Sequence, residues 1–451
     1  MNPLIFREYD IRGVVDKDFN LDDVEKIGRG YATYLARYDG KRCVVGHDCR
    51  LSSPEIRDAL IKGVMKGGAD VVDIGLCPTP VLYFALRHLK AEGGVMVTAS
   101  HNPPEYNGFK VCLGSDTIFG KEIQNLKKVI ESGRYSSGNG SRDEYGIMSV
   151  YCDYLTNNIR IERPISLAVD AGNGTGGLAA VPILKRLNCQ PVELFIEPDG
   201  TFPNHEPDPT VTQNMAHLAQ IVVDKGLELG IAFDGDADRL GVVDERGQII
   251  YGDMLMVIFA RDIPKNNPGG KFIGEVKCSQ IMYNEIKAAG GIPIMWKTGH
   301  SLIRQKLKEE QALLAGEMSG HFFFRHRYLG FDDAIYAACR LLEILSRQRR
   351  PLSAYLAGLP CTYNTPEIRV ECPEEKKFQL VSKVKQILAV EYEVIDIDGV
   401  RVVFPDGWGL VRASNTSPVI VLRFEAETES RLQEIRGIVE SVIDKVRSEL
   451  T

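Results

Sequence analysis

The chain has 451 residues and a formal net charge of −7, with 44% hydrophobic and 25% charged residues. This composition is ordinary for a globular protein of about three or four domains, and the negative charge argues against nucleic acid or an anionic membrane as its main partner. No apolar run approaches the ~20 residues of a membrane helix, and the N-terminus lacks the apolar segment of a signal peptide. The ten cysteines are scattered without a Cys-x-x-Cys pair. We therefore predict a cytoplasmic protein whose cysteines are reduced.

Strand-like and helix-like segments alternate in three similar units along the chain. The first unit predicts strands over 42–45, 70–74 and 95–97 and helices over 53–67 and 80–90. The second predicts strands over 166–169, 191–195 and 229–233 and helices over 175–187 and 213–225. The third predicts strands over 271–275, 292–295 and 312–315 and helices over 279–289 and 300–310. Such alternation is typical of βαβ units, so we expect three similar α/β domains with mixed, largely parallel sheets.

Composition and a change of pattern indicate where these domains end. Residues 136–141 have the composition of a flexible linker, and residues 243–247 predict a hairpin turn. After Pro360 the pattern changes to that of a smaller α+β domain. Its strands are predicted over 392–397, 400–404 and 419–425, and its helices over 374–389 and 428–449. We therefore predict four domains around a central cleft, over residues 1–146, 147–247, 248–360 and 361–451.

The third predicted strand of each α/β unit ends in a polar loop that differs from the other two. The three loops have the sequences TASHNP at 98–103, DGDADR at 234–239 and GEMSGH at 316–321. Loops at the carboxyl ends of strands are where α/β folds keep their functional residues. Because the three units are similar, we expect the three loops to converge on one cleft.

Ser100 is the centre of the first loop. It follows the apolar run 94–97 and precedes His-Asn-Pro-Pro, which must form a turn. A serine at the end of a buried strand, on a loop that cannot become helical, is displayed to the contents of the cleft. The alternative is a serine that only caps its own turn.

Asp234, Asp236 and Asp238 occupy alternate positions of the second loop and can converge on a hard cation such as Mg²⁺ or Ca²⁺. An EF-hand is a rival interpretation, since Glu245 falls at the twelfth position of such a loop. It fails at the sixth position, where the turn needs glycine and this chain has Arg239. Three packed acids repel one another unless a cation neutralises them. Mg²⁺ commonly takes phosphate oxygens as further ligands, and a phosphate on Ser100 would supply one.

The segment after the glycine-rich turn 406–409 has the chemistry of a phosphate-binding loop. One guanidinium is followed there by several short hydroxyl and amide donors. The alternative is an ordinary Ser/Thr turn before a strand. The residues of this predicted cradle are Arg412, Ser414, Asn415 and Thr416.

Glu317, Ser319 and His321 also occupy alternate positions, and they would face the same way if strand geometry continued through them. A carboxylate beside a hydroxyl suits the vicinal hydroxyls of a sugar. A glycine-rich turn with a hydrogen-bonded histidine is the alternative.

Residues 172–177 fit the G-x-G-x-x-G pattern after a predicted strand, with Glu193 about twenty residues further on. This pattern would indicate an NAD(P)-dependent oxidoreductase. That function would leave the aspartate loop and the 412–418 loop without a role, and a tight strand-to-helix turn explains the glycines equally well.

Together these motifs resemble those of the α-D-phosphohexomutase superfamily, in its bacterial phosphomannomutase/phosphoglucomutase branch. The resemblance covers essentially the whole chain and keeps the family's order: FREYDIRG, TASHNPPEYNGFK, DGDADR, WKTGHS, GEMSGH and RASNTSP. It implies three α/β domains and a smaller α+β domain around a deep cleft. It also implies an enzyme that interconverts hexose 1- and 6-phosphates through a phosphoserine, one Mg²⁺ per chain and a hexose 1,6-bisphosphate intermediate.

The resemblance also implies roles for individual residues. Ser100 would be the phosphoserine and, with Asp234, Asp236 and Asp238, would hold the Mg²⁺. Arg12, Lys110 and Arg239 would stabilise charge. His300 and Lys277 are candidates for proton handling or substrate contact, while Glu317 and Ser319 would bind the 3- and 4-hydroxyls, with His321 close by. Tyr9 and Asn102 would line the reaction centre, and Arg412, Ser414, Asn415 and Thr416 would bind the non-reacting phosphate.

Met318 favours the mannose/glucose branch, because the phosphoglucosamine branch usually has glutamine at this position. Glucose and mannose differ only at C2, so a site that binds the 3- and 4-hydroxyls should accept both. A phosphoglucosamine mutase is the alternative within the superfamily. A phosphosugar-binding relative without activity would be expected to lose Ser100 or one of the aspartates, and this chain retains them. The sequence leaves the oligomeric state open.

Overall fold

The computed structural model describes residues 1–263, 267–415 and 417–450. Within them the strands form four sheets that follow one another along the chain. No helix in these ranges combines the length and the apolar character needed to cross a membrane. The cysteines in these ranges are free, and most are buried, as the sequence predicts.

The first sheet is mixed, with strand order β1-β5-β4-β2-β3-β7 and β6 paired to β5. Its strands are β1 Ile11–Val14, β2 Arg42–His47, β3 Asp70–Leu76, β4 Gly93–Val97, β5 Tyr106–Leu113, β6 Asp116–Thr117 and β7 Arg142–Glu144. Its helices are α1 Leu21–Ala36, α2 Ser53–Lys66, α3 Thr79–His88 and α4 Lys121–Ser132. Strands β2, β3, β4 and β7 are parallel, whereas β1 and β5 are antiparallel to their neighbours. The predicted unit is therefore present, and it is extended by β1, α1, β5 and α4.

The second and third sheets repeat this plan with orders β12-β11-β10-β8-β9 and β14-β13-β15-β16. The second contains α5 Ile147–Asn158, β8 Leu167–Asp170, α6 Gly177–Arg186, β9 Val192–Leu194, α7 Ala216–Asp224, β10 Leu229–Phe233, β11 Leu240–Asp244 and β12 Ile249–Ile250. The third contains α8 Gly252–Asp262, β13 Lys271–Glu275, α9 Gln280–Ala288, β14 Ile292–Trp296, α10 His300–Glu309, β15 Leu314–Gly316, β16 Phe322–Phe324 and α11 Ala334–Ser346. The predicted turn at 243–247 is confirmed, because β11 and β12 are antiparallel neighbours.

In each of the three sheets, the polar loop is the tip of an antiparallel pair. Strands β4 and β5, β10 and β11, and β15 and β16 form these pairs. The antiparallel partner reverses the chain directly after the loop, so each loop is held at both ends by the sheet. The three functional loops therefore have equivalent and rigid supports.

The fourth sheet is antiparallel, with order β17-β22-β21-β20-β19 and β18 paired to β22. It contains β17 Tyr363–Asn364, β18 Ile368–Glu371, α12 Lys377–Leu388, β19 Glu393–Ile395, β20 Val400–Phe404, β21 Gly407–Ala413, β22 Val419–Ala426 and α13 Glu429–Leu450. The prediction of three α/β units followed by a different α+β unit is confirmed.

Two local predictions are wrong. Residues 407–409 are part of β21 and do not form a glycine-rich turn, because Trp408 is buried with the guanidinium Cζ of Arg401 3.8 Å from its ring centroid. Residues 136–141 do not span two domains as a free linker. Ser136 Oγ donates to the Gly67 carbonyl at 2.7 Å and the Gly140 amide donates to the Met65 carbonyl at 3.0 Å, so this segment packs against the C-terminal end of α2.

Close helix packing in the first unit leads to a stability prediction. A Cβ on Gly63 of α2 would lie 2.2 Å from the Glu25 carbonyl oxygen of α1, whereas in the described residues nothing would lie within 4 Å of a Cβ on Gly437 of α13. We expect Gly63→Ala to lower the free energy of unfolding by about 1–3 kcal/mol, because α1 and α2 must separate. Gly437→Ala, the matched control, should raise it by about 0.4–1 kcal/mol. Urea unfolding followed by circular dichroism tests this, and shifts of the same sign in both variants would contradict it.

Candidate active site

Ser100 and the aspartate loop meet across the first and second sheets. Ser100 is buried, its backbone φ is 51°, and its Oγ donates to Asp234 Oδ2 at 2.7 Å. The Ser100 amide donates to Thr98 Oγ1 at 2.9 Å, which stabilises this left-handed conformation. The approach of the two loops requires glycine at 235, because a Cβ there would lie 2.4 Å from the Ser100 carbonyl oxygen.

The three carboxylates of this loop form a tight, buried cluster. One oxygen from each of Asp234, Asp236 and Asp238 lies within 4.8 Å of the others, and none of the three residues is more than 2% exposed. Lys110 Nζ donates to Asp236 Oδ2 at 2.6 Å and also contacts Asp238 Oδ2. Asp236 Oδ1 is buried and has no hydrogen-bond partner in the described residues.

The charges in this cluster do not balance. Burial and the neighbouring carboxylates of Asp238 and Asp236 raise the pKa of Asp234 well above its ordinary value. Burial alone would lower the pKa of Lys110, but Asp236 and Asp238 raise it above its ordinary value. The ammonium of Lys110 contacts two of the three carboxylates, and the whole cluster is buried. The cluster could hold a divalent metal, whose charge and oxygen preference match this donor set.

The third loop brings Glu317, Ser319 and His321 together, although strand geometry does not continue through it. Strand β15 ends at Gly316, and the chain then turns through Gly320, whose φ is 94°. His321 Nδ1 lies 2.8 Å from Glu317 Oε2 and 3.3 Å from Ser319 Oγ. The predicted grouping is therefore found, but a turn produces it and alternation along a strand does not.

His321 connects the third loop to the aspartate loop. Its Nε2 lies 3.2 Å from Asp238 Oδ1, and Leu240 N donates to the Gly320 carbonyl at 2.9 Å. Burial alone would lower the pKa of His321, but the carboxylates of Asp238 and Glu317 raise it to about 10. Burial alone would raise the pKa of Glu317, but the hydrogen bond and charge of His321, together with the Gly299 amide, lower it to about 2. His321 is therefore an imidazolium at neutral pH in this structure.

His300 has a different environment at the start of α10. Its Nδ1 lies 3.6 Å from Asp332 Oδ2, and its ring centroid lies 5.7 Å from that of His321. Burial lowers its pKa below the ordinary value, despite the Asp332 carboxylate. Two neighbouring histidines beside the aspartate loop therefore have pKa values shifted in opposite directions, that of His300 lowered and that of His321 raised.

Arg12, Asn102 and Arg239 line the Ser100 side of the cleft. Arg12 Nη1 donates to Asn102 Oδ1 at 2.5 Å, and Arg12 Nη2 donates to Asp10 Oδ2 at 2.5 Å. Arg239 Nε lies 3.4 Å from His321 Nε2. Arg12 thus contacts the loop of Ser100 through Asn102, while Lys110 and Arg239 lie beside the aspartate loop, and such cations suit a site that binds a phosphoryl group.

A second group of predicted residues lies where the third and fourth sheets meet. Tyr9 joins them, since its hydroxyl donates to the Thr298 carbonyl at 3.0 Å and accepts from Asn415 Nδ2 at 2.9 Å. Arg412 Nε donates to Asp398 Oδ2 at 3.1 Å, and Asp398 also accepts from the Thr298 amide at 3.0 Å.

Lys277 and Ser414 also belong to this region. Lys277 Nζ donates to Glu367 Oε2 at 3.2 Å, and Ser414 Oγ accepts from the Ser417 amide at 3.2 Å. Thr416, the fourth residue of the predicted cradle, lies outside the described residues. The predicted residues thus form two groups, one around Ser100 and one around Arg412, and the ring contact between Tyr9 and His300 at 5.8 Å connects them.

Known proteins are similar to this chain over nearly its full length. Residues 3–136, 149–247, 251–363 and 367–441 match, in that order, phosphoglucomutase/phosphomannomutase alpha/beta/alpha domains I, II and III and the C-terminal domain of the same family. Phosphomannomutase/phosphoglucomutase of Pseudomonas aeruginosa is 46% identical over 449 residues, which cover 99% of this chain and 96% of that relative. This chain belongs to the phosphoglucomutase/phosphomannomutase family.

Two further relatives agree with this assignment. A phosphoglucomutase of Neisseria gonorrhoeae is 45% identical over 445 residues, covering 98% of this chain and 96% of the relative. The crystal structure of a phosphoglucomutase/phosphomannomutase family protein from Burkholderia thailandensis is 43% identical, with a TM-score of 0.94 and coverage of 99% and 98% of the two chains.

The rival motifs have structural explanations in this member of the phosphoglucomutase/phosphomannomutase family. Gly174 packs on the aspartate loop, where a Cβ would lie 2.6 Å from the Gly235 carbonyl oxygen, and Thr175 N donates to that carbonyl at 3.0 Å. Glu193 pairs with Lys185 at 2.7 Å. The G-x-G-x-x-G pattern therefore supports the aspartate loop. The EF-hand interpretation is wrong, because the loop is flanked by β10 and β11, which are strands and not helices.

Sequence reasoning missed two buried residues of this family site. Asp332 is fully buried beside His300, and both of its carboxylate oxygens have no hydrogen-bond partner in the described residues. Thr79 Oγ1 donates to Asp236 Oδ2 at 2.5 Å from the start of α3. The Asp332-Asp333 pair ahead of an apolar helix was a usable signal, since one acid suffices to cap α11 and that acid is Asp333.

Replacing the partly unpaired aspartate tests the metal site. We expect Asp236→Asn to weaken Mg²⁺ binding by about tenfold or more, because it removes one charged oxygen donor from the cluster. Isothermal titration calorimetry measures the affinity. Asp58→Asn is the control, since Asp58 pairs with Arg142 outside this cluster. An unchanged affinity in Asp236→Asn would contradict the assignment.

Proposed function

We propose that this protein is a phosphohexomutase that interconverts hexose 1-phosphates and hexose 6-phosphates, with mannose or glucose as the sugar. The observation that supports this best is the 2.7 Å contact between Ser100 Oγ and Asp234 inside a buried three-carboxylate cluster. A serine that carries a phosphoryl group needs cationic partners, and the cluster with Lys110, Arg12 and Arg239 supplies both a metal site and positive side chains. The names of the relatives agree with this chemistry.

The proposed reaction has two transfers. In the first, the bond between Ser100 Oγ and phosphorus breaks, and the phosphorus bonds to the free hydroxyl at C1 or C6 of the sugar phosphate. The resulting hexose 1,6-bisphosphate turns around, the bond between its other phosphorus and the sugar oxygen breaks, and that phosphorus bonds to Ser100 Oγ. In each transfer the oxygen that is released takes up the proton given up by the attacking hydroxyl. Mg²⁺ bound by Asp234, Asp236, Asp238 and the Ser100 phosphate would neutralise charge on the transferring group. Arg12, Lys110 and Arg239 would stabilise the same charge from the protein side.

The hydroxyl that attacks phosphorus must lose its proton. We assign this proton to His300, because the neighbouring His321 is already protonated. Burial lowers the pKa of His300, which favours the neutral imidazole needed to accept a proton. Asp332, 3.6 Å from His300 Nδ1, would stabilise the imidazolium that results. Lys277 remains a candidate for substrate contact.

Turning the intermediate around requires recognition that works in two orientations. Glu317 and Ser319 would bind the 3- and 4-hydroxyls, which lie near the middle of the sugar. Arg412, Ser414, Asn415 and Thr416 would bind whichever phosphate is distant from Ser100. Tyr9 and Asn102 would border the reacting end. This division explains why the loops of the third and fourth sheets are needed in addition to the Ser100 loop and the aspartate loop.

Several accompanying statements stay predictions. We expect the cytoplasm as the location, and phosphosugars as partners with no nucleic acid or membrane involved. The division into domains at 1–146, 147–247, 248–360 and 361–451 is likewise part of the proposal.

Conversion of sugar phosphates tests the activity and the role of Ser100 together. Mannose 1-phosphate and glucose 1-phosphate are incubated with Mg²⁺ and a trace of the 1,6-bisphosphate, and ³¹P NMR measures the 6-phosphates formed. We expect comparable turnover of both sugars, because the 3- and 4-hydroxyls are common to them. Ser100→Ala should lose at least about a thousandfold in kcat, whereas Ser448→Ala, on the exposed side of α13, should retain it. Preference for glucosamine phosphate would move the protein to that branch, and no conversion would refute the proposal.

A binding role for Arg412 predicts a different kinetic pattern. Losing a charged hydrogen bond to the non-reacting phosphate should raise KM by about tenfold or more in Arg412→Ala. Its kcat should change much less, because this phosphate does not react. Steady-state kinetics with glucose 1-phosphate measures both constants. Arg431→Ala, which breaks an ion pair with Asp406 at 2.9 Å outside the cleft, is the control. A larger effect on kcat than on KM would place Arg412 at the reaction centre instead.

A further inference from the structure

Arg50 lies between β2 and α2, and its side chain is fully enclosed. Its guanidinium uses all five of its N–H donors. Nε donates to Asp48 Oδ2 at 3.1 Å. The other four donors bind backbone carbonyls of the loop that contains Ser100. The carbonyl partners are Ser100 at 2.8 Å, Asn102 at 2.6 Å, Pro103 at 2.6 Å and Tyr106 at 3.1 Å.

This arrangement is specific for arginine. A guanidinium is a planar fork that can bind several acceptors at fixed angles, whereas a lysine ammonium has three donors and no such geometry. Burying this cation costs free energy, and only one carboxylate, that of Asp48, balances it directly. The remaining stabilisation comes from the four carbonyl oxygens. A residue with this burial cost is suited to defining one conformation of the loop.

The loop needs such support because Ser100 is strained. Its φ of 51° is in the left-handed region, which costs free energy for a residue with a side chain. Arg50 Nη2 binds the Ser100 carbonyl at the point where Gly235 of the aspartate loop makes its close approach. The guanidinium thus holds the backbone group on which both loops converge.

Arg50 itself is held from two sides. Asp48 Oδ1 accepts from the Arg50 amide at 3.0 Å and from Ser53 Oγ at 2.5 Å. The ring of Phe202, from the segment between β9 and α7, has its centroid 5.1 Å from the guanidinium Cζ. These contacts fix the guanidinium before any ligand arrives.

We propose that Arg50 is a positioning residue for phosphoryl transfer, whose guanidinium fixes the backbone that presents Ser100 Oγ to the aspartate loop. This inference rests on the proposed function of Ser100. Among the described residues, no contact joins Arg50 to Glu317, Ser319 or Arg412, which are assigned to the sugar hydroxyls and the non-reacting phosphate, and its bond to Asn102 uses only the backbone carbonyl. Its removal should therefore slow the transfer and leave substrate affinity nearly unchanged.

Two substitutions separate positioning from general stability. Arg50→Met removes all five donors, and Arg50→Lys retains a cation with at most three. We expect kcat to fall by about a hundredfold in Arg50→Met, because small displacements of a reacting group have effects of this size. Arg50→Lys should lose less, and KM for glucose 1-phosphate should change by less than about threefold in both variants. Arg340→Met is the control, since Arg340 is a buried arginine that donates to the His326 carbonyl at 3.1 Å, away from the cleft.

Amide hydrogen exchange provides a readout that does not depend on activity. In the native loop the amides of Ser100, Asn102 and Tyr106 are hydrogen-bonded. We expect peptides that cover residues 98–107 to exchange faster in Arg50→Met and Arg50→Lys than in the wild type, and to be unchanged in Arg340→Met. If Arg50→Met does not fold, Arg50→Lys alone decides the comparison.

The outcomes distinguish this inference from the proposed function. Unchanged exchange of the loop in Arg50→Lys, or a kcat within about threefold of wild type in a folded Arg50→Met, would overturn the positioning role. A loss of stability in Arg50→Met equal to that of Arg340→Met, with no selective loss of kcat, would also overturn it. If the wild-type protein converts no sugar phosphate, the proposed function fails, and the exchange data still decide whether Arg50 orders the Ser100 loop.

Discussion

The contact between Ser100 Oγ and Asp234 is the constraint on which the rest of the structure depends. It places a strained serine against three buried carboxylates whose charge Lys110 and the imidazolium of His321 neutralise only in part. Burying such a cluster costs free energy unless a cation neutralises it, so the surrounding protein must hold the acids together. In the described residues, Asp236 Oδ1 has no hydrogen-bond partner. Glycines at 174, 235 and 320 allow the loops to approach closely enough for this to happen.

The repeated hairpin explains how three units contribute to one site. Each polar loop leaves a parallel strand and returns on an antiparallel one, so its position is fixed by two strands of a sheet. The loops then contact one another directly, through Ser100 with Asp234 and through Asp238 with His321. The antiparallel fourth sheet adds the Arg412 loop, and Tyr9 connects it to the third sheet. Ser100 and the aspartate loop thus come from the first and second sheets, whereas the residues proposed to bind the sugar hydroxyls and the distant phosphate come from the third and fourth.

Much of this was predictable because the relevant signals are local. Strand and helix periods revealed the repeated units, and the aspartate spacing predicted the acidic cluster that could hold a cation. The predictions that were wrong concern how a segment turns or packs, which its residue spacing alone does not determine. Glu317, Ser319 and His321 come together through a turn at Gly320 that their spacing did not indicate. The glycine-rich segment 407–409 became a strand because Trp408 packs against Arg401. Asp332 carried only the indirect signal of a second acid ahead of α11, and Arg50 carried none, since the contacts of both depend on the folded chain.

The sequence by itself therefore determined the order of the elements, the family resemblance and the identity of the polar loops, because each depends on residues close together in the chain. The tertiary structure decided which loops meet, and the contacts between the loops in turn set the pKa values of the buried acids and bases. The opposite pKa shifts of His300 and His321 illustrate the reason. Both are buried histidines beside carboxylates. His321 contacts two of them, Asp238 and Glu317, whereas His300 has the more distant Asp332 and two neighbouring cations, and most of these partners are far away in the chain.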